Sequence, residues 1–119
     1  MFDITASIVT YKTNREELKK ILNSFLNTKL KVKVWISDNS PSNDLEVEIL
    51  NLNDQRIEYM FNDCNGGYGY GHNKTIEKIK NNSKYHLIIN PDIYFDRGVL
   101  EKIFEYMELN KDIGQLMPL

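Results

Sequence analysis

An asparagine and an aspartate stand two residues apart in the segment HLIINPDIYF, directly after a short apolar run. Two oxygen donors at that spacing suit a hard divalent cation such as Mg²⁺ or Mn²⁺, which uses one or two carboxylates and completes its shell with water and phosphate oxygens. Asp92 would hold the cation, with Asn90 beside it and Pro91 stiffening the turn between them. The same segment could instead be a plain turn, or Asp92 or Asp96 could cap the helix that follows.

A second stretch that could bind a ligand is NGGYGYGHN, residues 65–73, where glycines and tyrosines precede a helical pattern. Glycine-rich turns before a helix often bind phosphate, because backbone N–H groups can approach an anion closely and the helix N-terminus favours negative charge. His72 could reach a phosphate there, and a flexible surface connection would explain the same composition. Two common phosphate-binding motifs do not match this stretch. A dinucleotide-binding G-x-G-x-x-G would follow the first strand, whereas these glycines follow the third, and their spacing is not the GxxxxGK of a P-loop.

Both segments need a scaffold, and the hydrophobic pattern predicts strands that alternate with helices. Short β-branched or apolar runs predict five strands, over residues 4–10, 32–37, 57–61, 85–89 and 113–117. Apolar spacings of three and four between these runs predict helices that begin near Asn14, Leu45, Asn73 and Val99. In the third helix, Ile76 and Ile79 should face the core.

This order of elements predicts a three-layer α/β/α domain with a mainly parallel sheet, because the strands are apolar throughout rather than alternating in polarity. Ligands of such sheets bind beyond the carboxyl ends of the strands. Four groups of residues follow the predicted strands: Thr10 and Tyr11, then Asp38 to Ser40, then the glycine loop, then Asn90 to Asp92. All four groups should therefore lie along one edge of the sheet.

Composition limits the class of protein. The 119 residues, 41% hydrophobic and 27% charged, suit one globular domain with a core. A net charge of -2, with no long block of either sign, argues against nucleic-acid binding. Cys64 is the single cysteine, which excludes an internal disulfide and fits the reducing cytoplasm. The N-terminal apolar run is too short for a signal peptide or a membrane span.

The segments SIVTYK, WISDNSPSND, NGGYGYGHN and LIINPDI together resemble glycosyltransferase family 2, inverting enzymes with a GT-A fold, and more narrowly its rhamnosyltransferase-like members. The resemblance runs over nearly all of the chain. It implies the Rossmann-like, nucleotide-sugar-binding part of a GT-A domain over residues 1–119, truncated before the acceptor-binding part. The chain would then hold no catalytic residue, and the general base would lie beyond Leu119.

The resemblance also implies roles for individual residues. Five residues at the ends of the first two strands would contact or adjoin the nucleobase and ribose: Thr10, Tyr11, Asp38, Asn39 and Ser40. Five residues of the glycine loop would shape the site around the nucleotide and donor sugar: Asn65, Gly67, Tyr68, Gly69 and Asn73. The segment Asn90-Pro91-Asp92 matches the metal-binding Asp-x-Asp of the family with asparagine in place of the first acid, so Asp92 would bind Mg²⁺ or Mn²⁺.

The implied reaction is attack by an acceptor hydroxyl on the anomeric carbon of a nucleoside-diphosphate sugar, with the diphosphate leaving under the influence of the metal. Family members of this kind transfer a sugar such as rhamnose to a saccharide acceptor in cell-surface polysaccharide synthesis. The expected location is the cytoplasm or the inner face of the membrane, where the full-length enzyme could associate peripherally. The protein could also form a homo-oligomer. The alternative from another class is a non-catalytic nucleotide-binding or interaction domain on the same α/β scaffold.

Overall fold

The computed structural model describes residues 1–79, 82–91 and 95–111. Over these residues, strands alternate with helices in the order β1 (Phe2–Thr10), α1 (Arg15–Leu26), β2 (Val32–Asp38), α2 (Leu45–Asn51), β3 (Ile57–Phe61), α3 (Tyr68–Ile79), β4 (Ser83–Ile89) and α4 (Val99–Leu109). The predicted fifth strand, residues 113–117, and Asp92 lie outside the described residues. Among the helices that are described, none has the length and apolar character needed to cross a membrane.

The four strands form one parallel sheet in the order β3-β2-β1-β4. The register pairs Thr10 with Asp38 and Asp38 with Phe61, so β1, β2 and β3 end at the same level. The last residue of β4, Ile89, pairs with Ile8. The carboxyl ends of all four strands therefore share one edge, which confirms the predicted parallel sheet.

The main core lies between one face of this sheet and helices α1, α2 and α4. Alternate residues of β1 point into it, namely Ile4, Ala6 and Ile8, and the apolar stripe of α1 packs on them with Leu18, Ile21, Leu22 and Phe25. Helix α1 begins where the sequence predicts it, because Asn14 Oδ1 accepts a hydrogen bond from the backbone N–H of Glu17 at 3.1 Å.

Helix α3 covers the opposite face of the sheet, and it differs from the sequence prediction in two ways. It begins at Tyr68 rather than near Asn73, so the glycine loop itself supplies its first turn. The prediction that Ile76 faces the core is wrong, since Ile76 is 40% exposed while His72, Thr75 and Ile79 are buried. The buried side includes His72, whose Nδ1 lies 2.6 Å from Ser7 Oγ of β1, so this face of the sheet offers α3 a polar partner beside the apolar Val9.

Candidate functional site

Asp38, the last residue of β2, is the centre of a buried hydrogen-bond cluster at the carboxyl edge of the sheet. Its Oδ1 accepts from Thr10 Oγ1 at 2.9 Å and from the backbone N–H of Ser40 at 3.1 Å. Its Oδ2 accepts from the Tyr59 hydroxyl at 2.6 Å. Thr10 and Asp38 are both 0% exposed. Three donors therefore hold the carboxylate, and they join the ends of β1, β2 and β3 through one side chain.

Tyr59 is a residue of this cluster that the sequence analysis missed. It lies in β3 two residues before Phe61, the register partner of Asp38, so it projects from the same face of the sheet as Asp38. Burial and then the hydrogen bond to Asp38 raise the pKa of Tyr59 above its usual range, so the hydroxyl remains a donor. Alternation along β3 could have placed Tyr59 on that face, but its contact with Asp38 depends on a register that the sequence does not reveal.

A cavity of about 330 Å³ opens beside the Asp38 cluster, beyond the ends of β1 and β2. Its walls include Lys12, Thr13, Asp38 and Ser40. The loop after β1 is fixed by a hydrogen bond of 2.8 Å from the Lys12 backbone N–H to Ser40 Oγ. The volume is at the lower end of the range for small-molecule sites. A second cavity of about 330 Å³ lies between α2 and β3, but residues 53–55 in its lining precede β3, which places it away from the carboxyl edge.

The glycine loop is held against the sheet by a second cluster of hydrogen bonds. Asn39 Nδ2 donates to the carbonyl of Gly67 at 3.0 Å, and Asn62 Nδ2 donates to Asn39 Oδ1 at 2.7 Å. Ser37 Oγ donates to the carbonyl of Gly71 at 2.8 Å. Asn39 is 2% exposed, and its side chain connects Asn62 with the glycine loop.

Two positions of the loop require glycine. Gly67 has a φ of 90°, a conformation that favours glycine, and its carbonyl accepts from the N–H of Gly71 at 3.2 Å, which begins α3. A Cβ on Gly71 would lie 2.6 Å from Val9 Cγ2. The absence of that Cβ lets the first turn of α3 lie directly on β1, where the first N–H groups of the helix have no acceptor within the helix itself.

The structure places the predicted site residues in two groups. Thr10, Asp38 and Asn39 are buried and hydrogen-bonded within the protein. The exposed members are Tyr11, Asn65, Gly67, Gly69, Asn73 and Asn90, and Ser40 is half-buried. Asp92 and the side chain of Tyr68 lie outside the described part. The ligand contacts expected of all these residues stay predictions.

The described residues hold no group of three or more His, Cys, Asp or Glu side chains that could bind a metal. This does not bear on Asp92, which lies outside those residues. Asn90, directly after β4, is exposed, so an amide oxygen of the kind that binds Mg²⁺ lies at the carboxyl edge. Cys64 is an exposed free thiol.

His72 and His86 belong to a polar cluster between β1, β4 and α3. Ser7 Oγ lies 2.6 Å from His72 Nδ1 and 2.9 Å from His86 Nε2, and Thr5 Oγ1 lies 3.0 Å from His86 Nδ1. His72 is only 2% exposed, so it does not offer its ring to a phosphate in solvent. Burial lowers the pKa of His72 to about 4. Burial, and then the charge of His72, lower the pKa of His86 to about 4.

Mild acid should destabilise the protein through these two histidines. Both are neutral when folded and have an ordinary pKa of 6.5 when unfolded, so their stabilising contribution is complete above pH 6.5 and falls as the pH drops towards 4. Each unit of difference in pKa corresponds to about 1.4 kcal/mol. Urea unfolding measured between pH 7.5 and 4.5 should show this decline. The double variant His72→Gln/His86→Gln should show a flatter profile, and a slope equal to that of the parent would assign the decline to other groups.

A parallel sheet covered by helices, with a hydrogen-bond cluster and a glycine-rich helix start at its carboxyl edge, places the chain among the α/β domains, a class whose ligands bind at that edge. The profile of Glycosyl transferase family 2 matches residues 5–116. The chain therefore belongs to glycosyl transferase family 2.

Known proteins agree with this assignment. The chain is 31% identical over 118 residues to an uncharacterized glycosyltransferase of Methanocaldococcus jannaschii, an alignment that covers 95% of the chain and 40% of that protein. The crystal structure of S. aureus TarS 1-349 has a TM-score of 0.75 at 15% identity, over 98% of the chain and 38% of TarS 1-349. The crystal structure of TarS 1-349 in complex with UDP gives 0.76 with the same coverage. These likenesses confirm the predicted GT-A type of α/β fold, and the chain spans about 40% of the length of the curated relative.

Proposed function

We propose that the chain is the nucleotide-sugar-binding part of a glycosyltransferase, which transfers a sugar from a nucleoside diphosphate to a saccharide acceptor. The observation that carries the proposal is the match to glycosyl transferase family 2 over residues 5–116. The structure supports it by bringing the Asp38 cluster and the glycine loop to one edge of the sheet. A solved complex of TarS with UDP, which has the same fold over 98% of this chain, supports a nucleoside diphosphate as the ligand class.

The nucleoside would occupy the cavity of about 330 Å³ beside Asp38. Tyr11 is 50% exposed and directly precedes Lys12 of the cavity wall, so its ring would stack on the base from outside that wall. Asp38 would act chiefly by holding Thr10 and Ser40 in place, because its oxygens already accept three hydrogen bonds from the protein. The diphosphate would lie at the first turn of α3, where backbone N–H groups favour an anion.

Asp92 would supply the carboxylate for Mg²⁺ or Mn²⁺, with Asn90 nearby, and a cation there neutralises charge on the leaving diphosphate. The acceptor site and the general base would belong to other parts of a longer enzyme. The alignment with the curated relative covers only 40% of that protein. Rhamnose as the donor sugar, inversion at the anomeric carbon and a role in cell-surface polysaccharide synthesis at the cytoplasmic face of the membrane are parts of the same proposal.

Calorimetric titration of the chain with UDP, dTDP and GDP, with and without Mn²⁺, tests the proposal. At least one nucleotide should bind, and Mn²⁺ should strengthen its binding. Asp92→Asn keeps the size of the side chain but removes the carboxylate, so the gain from Mn²⁺ should shrink by about tenfold while metal-free binding hardly changes.

Asp96→Asn is the matched control, because Asp96 is exposed in the same connection before α4. If Asp92→Asn binds Mn²⁺ and nucleotide as tightly as the parent chain, the segment is a plain turn, since the N-cap of α4 is Gly98. If the parent chain binds none of the three nucleotides in either condition, the alternative of a non-catalytic interaction domain takes the place of the proposal.

A further inference from the structure

The side chains of Asn39 and Asn62 form a bridge from the sheet to the glycine loop. Asn62 Nδ2 donates to Asn39 Oδ1 at 2.7 Å, and Asn39 Nδ2 donates to the carbonyl of Gly67 at 3.0 Å. Asn62 Nδ2 also lies 2.9 Å from Ser37 Oγ, which in turn donates to the carbonyl of Gly71. Two carbonyls one helical turn apart are thus both fixed by side chains at the end of β2, and Asn62, directly after β3, donates to both of these side chains.

These two carbonyls determine where α3 begins. The Gly67 carbonyl accepts both from Asn39 and from the N–H of Gly71, the first hydrogen bond of the helix. The N–H groups of residues 68–70 precede this bond and have no acceptor within the helix, so their direction depends on the same contacts. A displacement of about 1 Å is enough to spoil hydrogen bonding to a bound group. The bridge therefore decides whether these N–H groups meet an anion.

Asn39 and Asn62 are suited to positioning rather than to binding. Asn39 is 2% exposed and both ends of its amide are occupied. Asn62 is half-buried and tied through its backbone N–H to the carbonyl of Asp38 at 2.9 Å. The backbone N–H of Asn39 is bonded to the carbonyl of Thr10 at 2.8 Å. Both amides therefore rest on the rigid ends of strands, which is what a positioning residue requires.

We propose that Asn39 and Asn62 are positioning residues that hold the glycine loop for the diphosphate, separately from the cavity beside Asp38 that would take the nucleoside. The proposal rests on the proposed function for the identity of the ligand. It predicts that the two halves of the ligand can be uncoupled, since the Asp38 cluster shares none of these side-chain hydrogen bonds. Asn62 has no role in the sequence-based assignment, so its effect on diphosphate binding is new.

Asn62→Asp is the variant of choice, because it keeps the shape and replaces the donating amide with an acceptor. Asn39 would then turn its amide towards the new carboxylate or face an oxygen without a proton, and after such a turn its own oxygen would oppose the Gly67 carbonyl. In the ligand-free protein, amide hydrogen exchange over residues 71–75 should accelerate about tenfold, the weight of one hydrogen bond, while exchange in β1 and β2 stays unchanged. Asn62→Ala should act in the same direction. Asn82→Asp, at an exposed site before β4, should change neither the exchange over residues 71–75 nor the exchange in β1 and β2.

The same variants should separate diphosphate from nucleoside. Affinity for UDP should fall about tenfold in Asn62→Asp, and affinity for uridine should stay within about twofold of the parent; dTDP or GDP with its nucleoside serves equally if one of them binds more tightly. Unchanged exchange over residues 71–75, or an equal loss of both affinities, would overturn the proposal. A parent chain that binds no nucleotide refutes the proposed function and the ligand half of this inference, while the exchange result still decides whether the bridge holds the loop.

Discussion

Replacing Asp38 with alanine is expected to destabilise the protein by roughly 3 kcal/mol or more, because three donors that converge on the buried carboxylate lose their acceptor and each unsatisfied group costs about 1–3 kcal/mol. The three donors are the hydroxyls of Thr10 and Tyr59 and the backbone N–H of Ser40. Asp38 is 0% exposed, so these protein donors rather than solvent satisfy its carboxylate. Since a domain of this size is stable by only about 5–15 kcal/mol, the loss is a large share of the total.

A graded series makes this expectation specific to the cluster. Asp38→Asn keeps the size and the Oδ1 acceptor, and the Tyr59 hydroxyl can accept from the new amide, so a loss of about 1 kcal/mol is expected. Tyr59→Phe leaves one carboxylate oxygen without its donor and should fall between these two, at about 1–3 kcal/mol. Urea unfolding followed by circular dichroism measures all three.

Matched controls for the series lie on the surface. Tyr106 is 48% exposed, so Tyr106→Phe should change the free energy of unfolding little. Asp96→Ala removes a carboxylate from an exposed position and should also be nearly neutral. If Asp38→Ala unfolds at the same urea concentration as Asp96→Ala, the hydrogen-bond cluster does not form in solution.

The strands and their common direction could be predicted from sequence because the signal is local. Short runs rich in β-branched and apolar residues, such as residues 4–10, favour strands, and a helix between consecutive strands is the usual crossover of a parallel sheet. The order of the strands could not be predicted, since it depends on which crossovers place β4 beside β1 rather than beyond β3. Strand order is decided by packing between segments far apart in the chain, and no single segment encodes it.

The start of α3 could not be predicted because local preference and tertiary contacts disagree there. Glycine disfavours helix by about 1 kcal/mol relative to alanine, so residues 66–71 look like a loop. Hydrogen bonds from Ser37 and Asn39 to loop carbonyls hold the first turn in helical form despite that preference. The prediction for Ile76 failed for a related reason. The contact between Ser7 and His72 shows which side of α3 is buried, but it can be recognised only once α3 is known to cover that face of the sheet.

The candidate site shows the same division between local and distant information. Residues at strand ends could be placed at the correct edge from the pattern alone, as Asp38 and Asn39 were. Their partners could not, because Tyr59 reaches Asp38 from another strand and Asn62 reaches Asn39 from beyond that strand's end. A side chain that the sequence assigns to the ligand can therefore also support the neighbouring residues.

Gly71→Ala should destabilise the protein although Gly71 lies within a helix. Helix propensity alone predicts a gain of about 1 kcal/mol for alanine. The added Cβ, however, would lie 2.6 Å and 2.9 Å from the two methyl carbons of Val9, and 3.3 Å from Asn39 Nδ2. Val9 is β-branched and 8% exposed in the central strand β1, so it has little room to move. Overpacking of this kind costs about 1–3 kcal/mol, which outweighs the gain, and α3 should shift away from β1.

Two further variants isolate the clash with Val9. At Gly69 an added Cβ has no heavy atom within 4 Å, so Gly69→Ala should stabilise the same helix by roughly 0.5–1 kcal/mol. In the double variant Gly71→Ala/Val9→Ala the methyls that clash are gone, so the two changes should be less harmful together than the sum of the single changes, by about 0.5–3 kcal/mol. Because the shift of α3 also moves the Gly67 carbonyl, Gly71→Ala should weaken UDP binding more than uridine binding. Equal stabilisation by Gly71→Ala and Gly69→Ala in urea unfolding would show that α3 does not lie against β1 in solution, and the glycine at position 71 would then have no packing role.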